Sequence, residues 1–468
     1  MPELPEVETV KRILTPLLVN KTIANVEVLY PKMILSPVEE FKKSLQNQTF
    51  LSIKRKGKYL LFYLTNDLVL ISHLRMEGKY ILLGNNESKT SHARVIFNLT
   101  NNESIAYDDT RCFGIMKLVK EKDLNNEEML NKLGQEPFDI HDITYIKKRL
   151  QKSNNPIKVS IMDQSIISGL GNIYADEVLF RSKINPLTPS SKVNDEDIRN
   201  IVSNSVIVLN KAIELGGSTV RSYHAARGVD GKFQNELLVY GKKDECCPSC
   251  HYVFKKIYVG GRGTTFCPHC QKYKFNTCVV GIVGQIASGK SLALNYFKNK
   301  GYETISSDEI VHTLYQDINV IKKLKIHFAR AIKDDVIDRK ILKDIIINDA
   351  KKKKQLEEII HPLVEETIFN FIKNAKGQIV FIEVPLLFDA HMDYLCDYII
   401  GIDASKEDQI EHLKMRGVKD IDSYLTLNKN NAFEVNRNKI NFMTNKNISK
   451  DELFKELDIF LNNIKSHL

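Results

Sequence analysis

Between residues 23 and 119 the chain runs in short apolar stretches, some alternating and some continuous: Ile23–Tyr30, Phe50–Ile53, Tyr59–Leu64, Leu68–His73, Arg94–Leu99 and Ile115–Val119. Asn, Gly and charged residues separate them, the punctuation expected of strands joined by tight turns. A strand-dominated sandwich or barrel is predicted. From Glu127 to about Gly216 the spacing changes to i, i+3, i+4, and helices are expected over Ile143–Gln151, Asp176–Arg181 and Asp195–Leu215. A glycine-bearing loop, Gly216–Gly231, follows. Beyond residue 277, apolar runs at 279–283, 302–305, 379–384 and 398–402 alternate with helical segments, one from Lys290, others reaching about Ala375, and one from Lys406. That order predicts a doubly wound α/β domain with a parallel sheet.

Length and charge divide the chain in the same place. At 468 residues it is long enough for roughly three compact units. Its 43% hydrophobic and 27% charged residues exclude a wholly disordered or collagen-like chain. The longest apolar run, near Ile379–Phe388, is broken by Glu383 and Pro385, so no membrane association is expected. Of the 67 Lys and Arg and 58 Asp and Glu, residues 278–468 hold 28 of each, which leaves 39 basic against 30 acidic in the first 277. The whole excess of +9 sits in the first part, consistent with a polyanionic partner there or merely with a well-solvated surface.

Three motifs carry chemistry. Cys247-Pro-Ser-Cys250 and Cys267-Pro-His-Cys270 form two knuckles with the spacing of a tetrahedral zinc site. Between them lie Lys255, Lys256 and Arg262 with Tyr252, Phe254, Tyr258 and Phe266, a basic and aromatic hairpin suited to a nucleic-acid backbone. The other four cysteines are scattered, which fits a reducing, cytoplasmic setting better than a disulfide framework. At the start, removal of Met1 would make Pro2 an N-terminal secondary amine able to attack an electrophilic sugar carbon, with Glu3 and Glu6 as proton donor and positioning group. The same residues also read as an acidic helix start with Pro in its first turn. In the second half, Gly284-Gln285-Ile286-Ala287-Ser288-Gly289-Lys290-Ser291 fits Gly-x4-Gly-Lys-Ser between a strand and a helix. Its amides and Lys290 would cradle nucleotide phosphates, and Ser291 would ligate Mg²⁺.

The first part resembles formamidopyrimidine-DNA glycosylase. The resemblance rests on Pro2-Glu-Leu-Pro-Glu-Val-Glu-Thr9, Lys56-Gly-Lys58-Tyr-Leu-Leu, His73-Leu-Arg-Met76-Glu-Gly, Asp109-Thr-Arg111-Cys-Phe113-Gly, Gly169-Leu-Gly-Asn172-Ile-Tyr-Ala-Asp176-Glu and the terminal zinc finger, in that order. It implies excision of oxidised purines from double-stranded DNA through a Pro2 Schiff base and β,δ-elimination. By the same resemblance Glu3 protonates the sugar ring oxygen and Lys58 holds the phosphate beside the lesion. The flipped-out base leaves a gap that Met76, Arg111 and Phe113 fill, Arg111 facing the orphaned cytosine. Asn172, Arg262 and His92 join the DNA-binding set, and the Gly216–Gly231 loop covers the extruded base. Cys112 departs from the family, which commonly has a second Arg there.

Residues 279–468 resemble dephospho-CoA kinase, on Ile305-Ser-Ser-Asp308, Leu356-Glu-Glu-Ile-Ile-His361-Pro362, Val384-Pro385-Leu-Leu-Phe388, and Gln409 with Arg416. This implies ATP, Mg²⁺ and dephospho-CoA as ligands, Asp308 as base or orienter for the ribose 3′-hydroxyl, Arg416 as a lid cation and Asn445 beside adenine. Gln285 and Ala287 stand where the family has glycines, tolerable if their φ stays negative. Ser306, His312, His412 and Asn441 also depart from it.

The expected architecture is an N-terminal β-sandwich lobe (1–125), a helix–two-turn–helix lobe (126–235), a zinc finger (236–275) and an α/β P-loop kinase domain (278–468). The expectation is a monomeric bifunctional fusion. The alternatives are a glycosylase joined to a degenerate nucleotide-binding domain or a P-loop kinase of other specificity, and a non-catalytic zinc-ribbon DNA-binding protein.

Overall fold

A computed structural model describes residues 2–84, 89–218, 231–418, 421–422, 425, 431–446 and 448–466. The chain divides into two compact units, Met1–Tyr273 and Lys274–Leu468. No helix among the described residues is long and apolar enough to cross a membrane.

The first unit opens with helix Leu4–Leu18, followed by eight strands: β1 Ile23–Val28, β2 Phe50–Lys56, β3 Tyr59–Leu64, β4 Leu68–His73, β5 Lys79–Leu83, β6 Ala93–Leu99, β7 Ser104–Asp108 and β8 Ile115–Lys120. They form two antiparallel four-stranded sheets, ordered β1-β6-β7-β5 and β2-β3-β4-β8. Phe50, Phe62, Tyr80, Phe97 and Tyr107 pack in the core between them, with Phe62, Tyr80 and Tyr107 meeting edge to face at 5.5 and 5.2 Å. Strands β5 and β7 were not anticipated; both are five-residue runs beside turn residues, too short for alternation to stand out.

A helical lobe follows, built on Thr144–Gln151, Asn172–Arg181 and Asp195–Glu214. Its core holds Tyr174, Val178, Leu179, Ile201 and Leu209 together with Leu4. Val7, Val10, Leu14 and Leu18 of the same first helix belong instead to the sandwich core. That helix is therefore shared by both lobes, and its N-terminus emerges where they meet. The hairpin β9 Lys255–Val259 and β10 Arg262–Phe266 packs on helix Asn172–Arg181.

In the second unit the parallel sheet runs β12 Glu303–Ser306, β15 Ile379–Glu383, β11 Cys278–Gly284, β16 Tyr398–Ile402 and β17 Phe442–Met443. A minor hairpin, β13 Ile332–Lys333 with β14 Val336–Ile337, stands apart from it. Strands β11 and β15 are buried at every position, as a sheet covered on both faces requires. Helix Lys290–Asn299 and helix Lys450–Lys465 cover one face, and helices Ile318–Phe328 and Ala350–Asn374 contribute to the core on the other.

Tyr107 has no room to yield in the sandwich: a Cβ added at Gly114 would lie 1.9 Å from its hydroxyl oxygen and 2.6 Å from ring carbon Cζ. Gly114→Ala is expected to lower stability by about 1–3 kcal/mol. Gly84→Ala, whose methyl meets nothing within 4 Å, should stay within about 0.5 kcal/mol. Urea unfolding midpoints of the two variants check the contrast.

Candidate active sites

Pro2 is buried directly ahead of the first helix, and the residues around it form an enclosed polar cluster. Glu3 is 2% exposed. Its carboxylate accepts the Ile173 amide at 2.9 Å and the Tyr174 amide at 3.5 Å, so it rests on the amides at the start of helix Asn172–Arg181. A Cβ at Gly171 would meet Glu3 Cδ at 2.3 Å; glycine there lets the helix start close on the carboxylate. Glu6 accepts the Glu3 amide at 2.8 Å, the Tyr174 hydroxyl at 2.6 Å and the Ser218 amide at 2.8 Å. Burial pushes the Glu3 carboxyl above the ordinary range, against the lowering pull of Lys58, while Glu6 adds to the rise. A carboxyl that holds its proton more readily than usual is suited to donating one.

Lys58 arrives from the opposite side, on the β2–β3 turn. Gly57 there has φ +57°, and its amide donates to Glu136 at 2.7 Å. Glu136 also accepts two bonds from Arg55, at 2.6 and 2.8 Å, which clamps the turn and aims Lys58 inward. The buried Lys58 ammonium donates to the Leu170 carbonyl at 2.7 Å. Burial lowers its pKa, while Glu3 and Glu6 oppose the fall.

A second group of residues stands on a loop organised by one carboxylate. Asp109, fully buried, accepts the amides of Arg111 at 3.0 Å, Phe113 at 3.0 Å and Gly114 at 2.8 Å. This holds Phe113 out at 52% exposure with the Arg111 guanidinium 4.8 Å from its ring centroid. The His92 carbonyl accepts the Asp109 amide at 3.0 Å, so His92 braces the loop from behind. Met76 is half-buried on the β4–β5 turn. Asn172 opens helix Asn172–Arg181 and donates to the Gly263 carbonyl at 3.1 Å, which ties it to the hairpin carrying the exposed Arg262. A buried pair, Lys158 with Asp176 at 2.7 Å, fixes the same hairpin through Thr264 and the Thr265 amide.

The four knuckle cysteines converge. Their sulfurs lie within 4.8 Å of one another, with Cys247–Cys270 at 3.9 Å and Cys250–Cys267 at 3.5 Å. Ligands about 2.3 Å from a tetrahedral ion stand about 3.8 Å apart, so the donor set fits zinc. Burial pushes the Cys270 thiol up to about 12, a cost that a bound dication would offset.

In the second unit the phosphate loop ends at Gly289, with φ +100° at the N-cap of helix Lys290–Asn299. Lys290 turns back onto the Gln285 carbonyl at 2.7 Å. The loop walls a cavity of about 1020 Å³ together with Asp308, His361, Glu383, Asp389 and Arg416. Ser288 also lines it, and its buried hydroxyl has no hydrogen-bond partner among the described residues, a polar group available to a ligand. Ser291 donates to Glu383 at 3.0 Å. Burial raises the Glu383 pKa.

Comparison with known proteins separates the units in the same way. The formamidopyrimidine-DNA glycosylase N-terminal domain matches residues 1–116, its H2TH domain residues 133–224, and dephospho-CoA kinase residues 278–464. The formamidopyrimidine-DNA glycosylase of Bacillus anthracis is 48% identical over 275 residues, covering 58% of this chain and 99% of the relative. The first unit belongs to the formamidopyrimidine-DNA glycosylase family, and the second is a dephospho-CoA kinase domain. The glycosylase of Bacillus subtilis (strain 168) is 47% identical over 278 residues, covering 58% of this chain and all of its own. Among solved structures, the Lactococcus lactis glycosylase in complex with DNA containing an abasic site superimposes with TM-score 0.55 at 40% identity. The same enzyme with DNA containing N7-benzyl-Fapy-dG gives 0.55 at 41%; both cover 58% of this chain and 100% of theirs.

Within the glycosylase unit, Pro2, Glu3, Glu6 and Lys58 are brought together, and Arg111 with Phe113 share one loop. Of the Gly216–Gly231 loop, Gly217 closes on Glu6, where an added Cβ would lie 2.8 Å from Oε1; residues 219–230 lie outside the described residues. In the kinase domain Asp308, Lys290, Ser291 and Arg416 share the cavity. Asn445 is not among its lining residues: its amide nitrogen donates to Glu456 and its side chain pairs with the same carboxylate.

One expectation is corrected: Ala287 does not keep a negative φ but sits at +55°, where an L side chain is strained. Glu383 was missed as a site residue. The signal was present, a carboxylate interrupting an otherwise apolar run and ending a strand buried at every position. It pairs in register with Ser306, the position where the resemblance implies the first Asp of an Asp-x-Asp pair.

Purified chain is expected to hold about one zinc per molecule by elemental analysis, and Cys267→Ser well below that. The same variant should lose duplex binding, because Arg262 loses its anchored hairpin.

Proposed function

We propose that the first unit excises oxidised purines, 8-oxoguanine and formamidopyrimidines, from duplex DNA and cuts the strand at the vacated site. The observation that carries this is the enclosed Pro2–Glu3–Glu6–Lys58 cluster, which a purely DNA-binding zinc ribbon would have no use for. The target nucleotide leaves the stack, at a cost of a few kcal/mol. The neutral Pro2 amine attacks the anomeric carbon and the glycosidic bond breaks, the base departing with the proton that the Pro2 nitrogen loses; Glu3 gives its proton to the sugar ring oxygen as the bond from that oxygen to the anomeric carbon opens, which leaves an iminium. The resulting iminium draws electrons from the sugar, so the 3′ and then the 5′ phosphate are eliminated. Lys58 balances the phosphate beside the lesion, Asn172 and Arg262 hold the backbone, and Arg111, Phe113 and Met76 fill the gap.

For the second unit we propose ATP-dependent phosphorylation of the 3′-hydroxyl of dephospho-CoA. Asp308 orients that hydroxyl and accepts its proton. Lys290 and Arg416 neutralise charge on the transferring phosphoryl group. Ser291 and Glu383 would hold a Mg²⁺ ion directly or through water, and it would screen the phosphates of ATP. Zinc remains structural. Two Cys-x-x-Cys knuckles and otherwise scattered cysteines fit a reducing setting, and we place the chain in the cytoplasm.

Three measurements test these readings. Glu3→Gln should reduce base release from 8-oxoguanine:cytosine duplex by at least about 10²-fold while cleavage of a preformed abasic site survives; equal loss of both would contradict its role as the acid. Because the Glu3 pKa is raised, base release should persist above the ordinary carboxylate range and then fall as pH rises through that raised value. Lys290→Ala should abolish conversion of dephospho-CoA to CoA, followed by direct product assay. ATP binding without CoA formation by the unaltered chain would favour the degenerate-domain alternative.

A further inference from the structure

The strained alanine in the phosphate loop has a partner that the family resemblance does not supply. The Ser288 amide donates to the Gln285 carbonyl at 3.3 Å, closing a four-residue turn with Ala287 at its third position. A positive φ there is normally given to glycine, and Ala287 holds +55° without it. A Cβ in the left-handed region is disfavoured, so the conformation persists only if its surroundings impose it. One bond does so visibly: His412 Nδ1 lies 2.8 Å from the Ala287 carbonyl oxygen. A carbonyl can only accept, so Nδ1 carries the proton. His412 stands on helix Lys406–Met415, four residues before the cavity-lining Arg416.

We propose that His412 is a positioning residue for nucleotide binding: it pins the Ala287 carbonyl and so keeps the phosphate loop in its receptive shape without a glycine. Two departures from the family, Ala287 and His412, then become one compensated pair. The bond also joins the loop to the helix that ends at Arg416, so the two phosphate-facing elements share a common register. His412 need not touch the nucleotide. The inference rests on the reading of this cavity as the ATP site, but the loop geometry can be tested without nucleotide.

The full-length chain and four variants suffice. His412→Ala should weaken MgATP binding by calorimetry, and raise the KM for ATP, by about tenfold, equivalent to about 1.4 kcal/mol, with kcat within about threefold of wild type. His412→Asn, whose amide nitrogen lies near the Nδ1 position, should restore binding; His412→Gln, which reaches the Nε2 position, should not. Ala287→Gly added to His412→Ala should recover most of the loss. Without nucleotide, hydrogen exchange over residues 284–289 should quicken in His412→Ala and return to wild type in His412→Asn. Unchanged exchange in His412→Ala overturns the proposal, as does equal behaviour of the Asn and Gln variants. Failure of Ala287→Gly to rescue would instead make His412 a direct nucleotide contact. If the unaltered chain binds no MgATP, the kinase reading falls, and the exchange comparison still decides the role of His412.

Discussion

The glycosylase unit depends on one contact, the Glu3 carboxylate resting on the first amides of helix Asn172–Arg181. It joins the start of the chain to a residue 170 positions away, and both lobes are organised around it. Leu4, next in sequence, enters the helical core, while the following turns of the same helix enter the sandwich. Pro2 is thereby held at the junction of the lobes. The opposing influences on Glu3 explain its chemistry. Helix amides and Lys58 favour the anion, burial disfavours it more strongly, and the net effect is a carboxyl that holds its proton more readily than usual. The acidic-helix reading and the proposed catalytic reading of the N-terminus are thus compatible with one structure.

The kinase domain uses helix-start amides for a different purpose. In the first unit they receive an internal carboxylate; in the second they stand at the end of a glycine-bearing loop facing a large cavity, with Lys290 still folded onto the loop's own carbonyls. This accounts for the charge division. DNA, a long polyanion, is met by a unit with surplus basic residues, whereas the phosphates of a small ligand need only local donors, and residues 278–468 carry no net excess.

Strands β3, β4 and β16 lie where the hydrophobic pattern puts them, because each is a near-continuous apolar run between turn residues. Helix Leu4–Leu18 was harder to read. Its buried face includes Glu6 and Glu8, so counting apolar positions understates its burial. The zinc quartet was legible because its ligands come as two local pairs. The roles of Asp109 and Glu136 were not, since a carboxylate receiving backbone amides looks in sequence like any solvated acid. Glu383 looked like an interruption of an apolar run, though it is a buried acid beside Ser291. The φ of Ala287 was undecidable from its neighbours, because the residue that stabilises it lies 125 positions further on.

The proposed excision turns on Pro2 as the nucleophile. Borohydride added during reaction with an 8-oxoguanine:cytosine duplex would freeze the iminium as a stable amine, and peptide mapping would then locate the DNA remnant. The prediction is that the remnant sits on the nitrogen of Pro2, in the tryptic peptide spanning residues 2–11, and that Pro2→Gly traps far less. A remnant on Lys58 or another lysine, or trapping by Pro2→Gly at the wild-type rate, would contradict it.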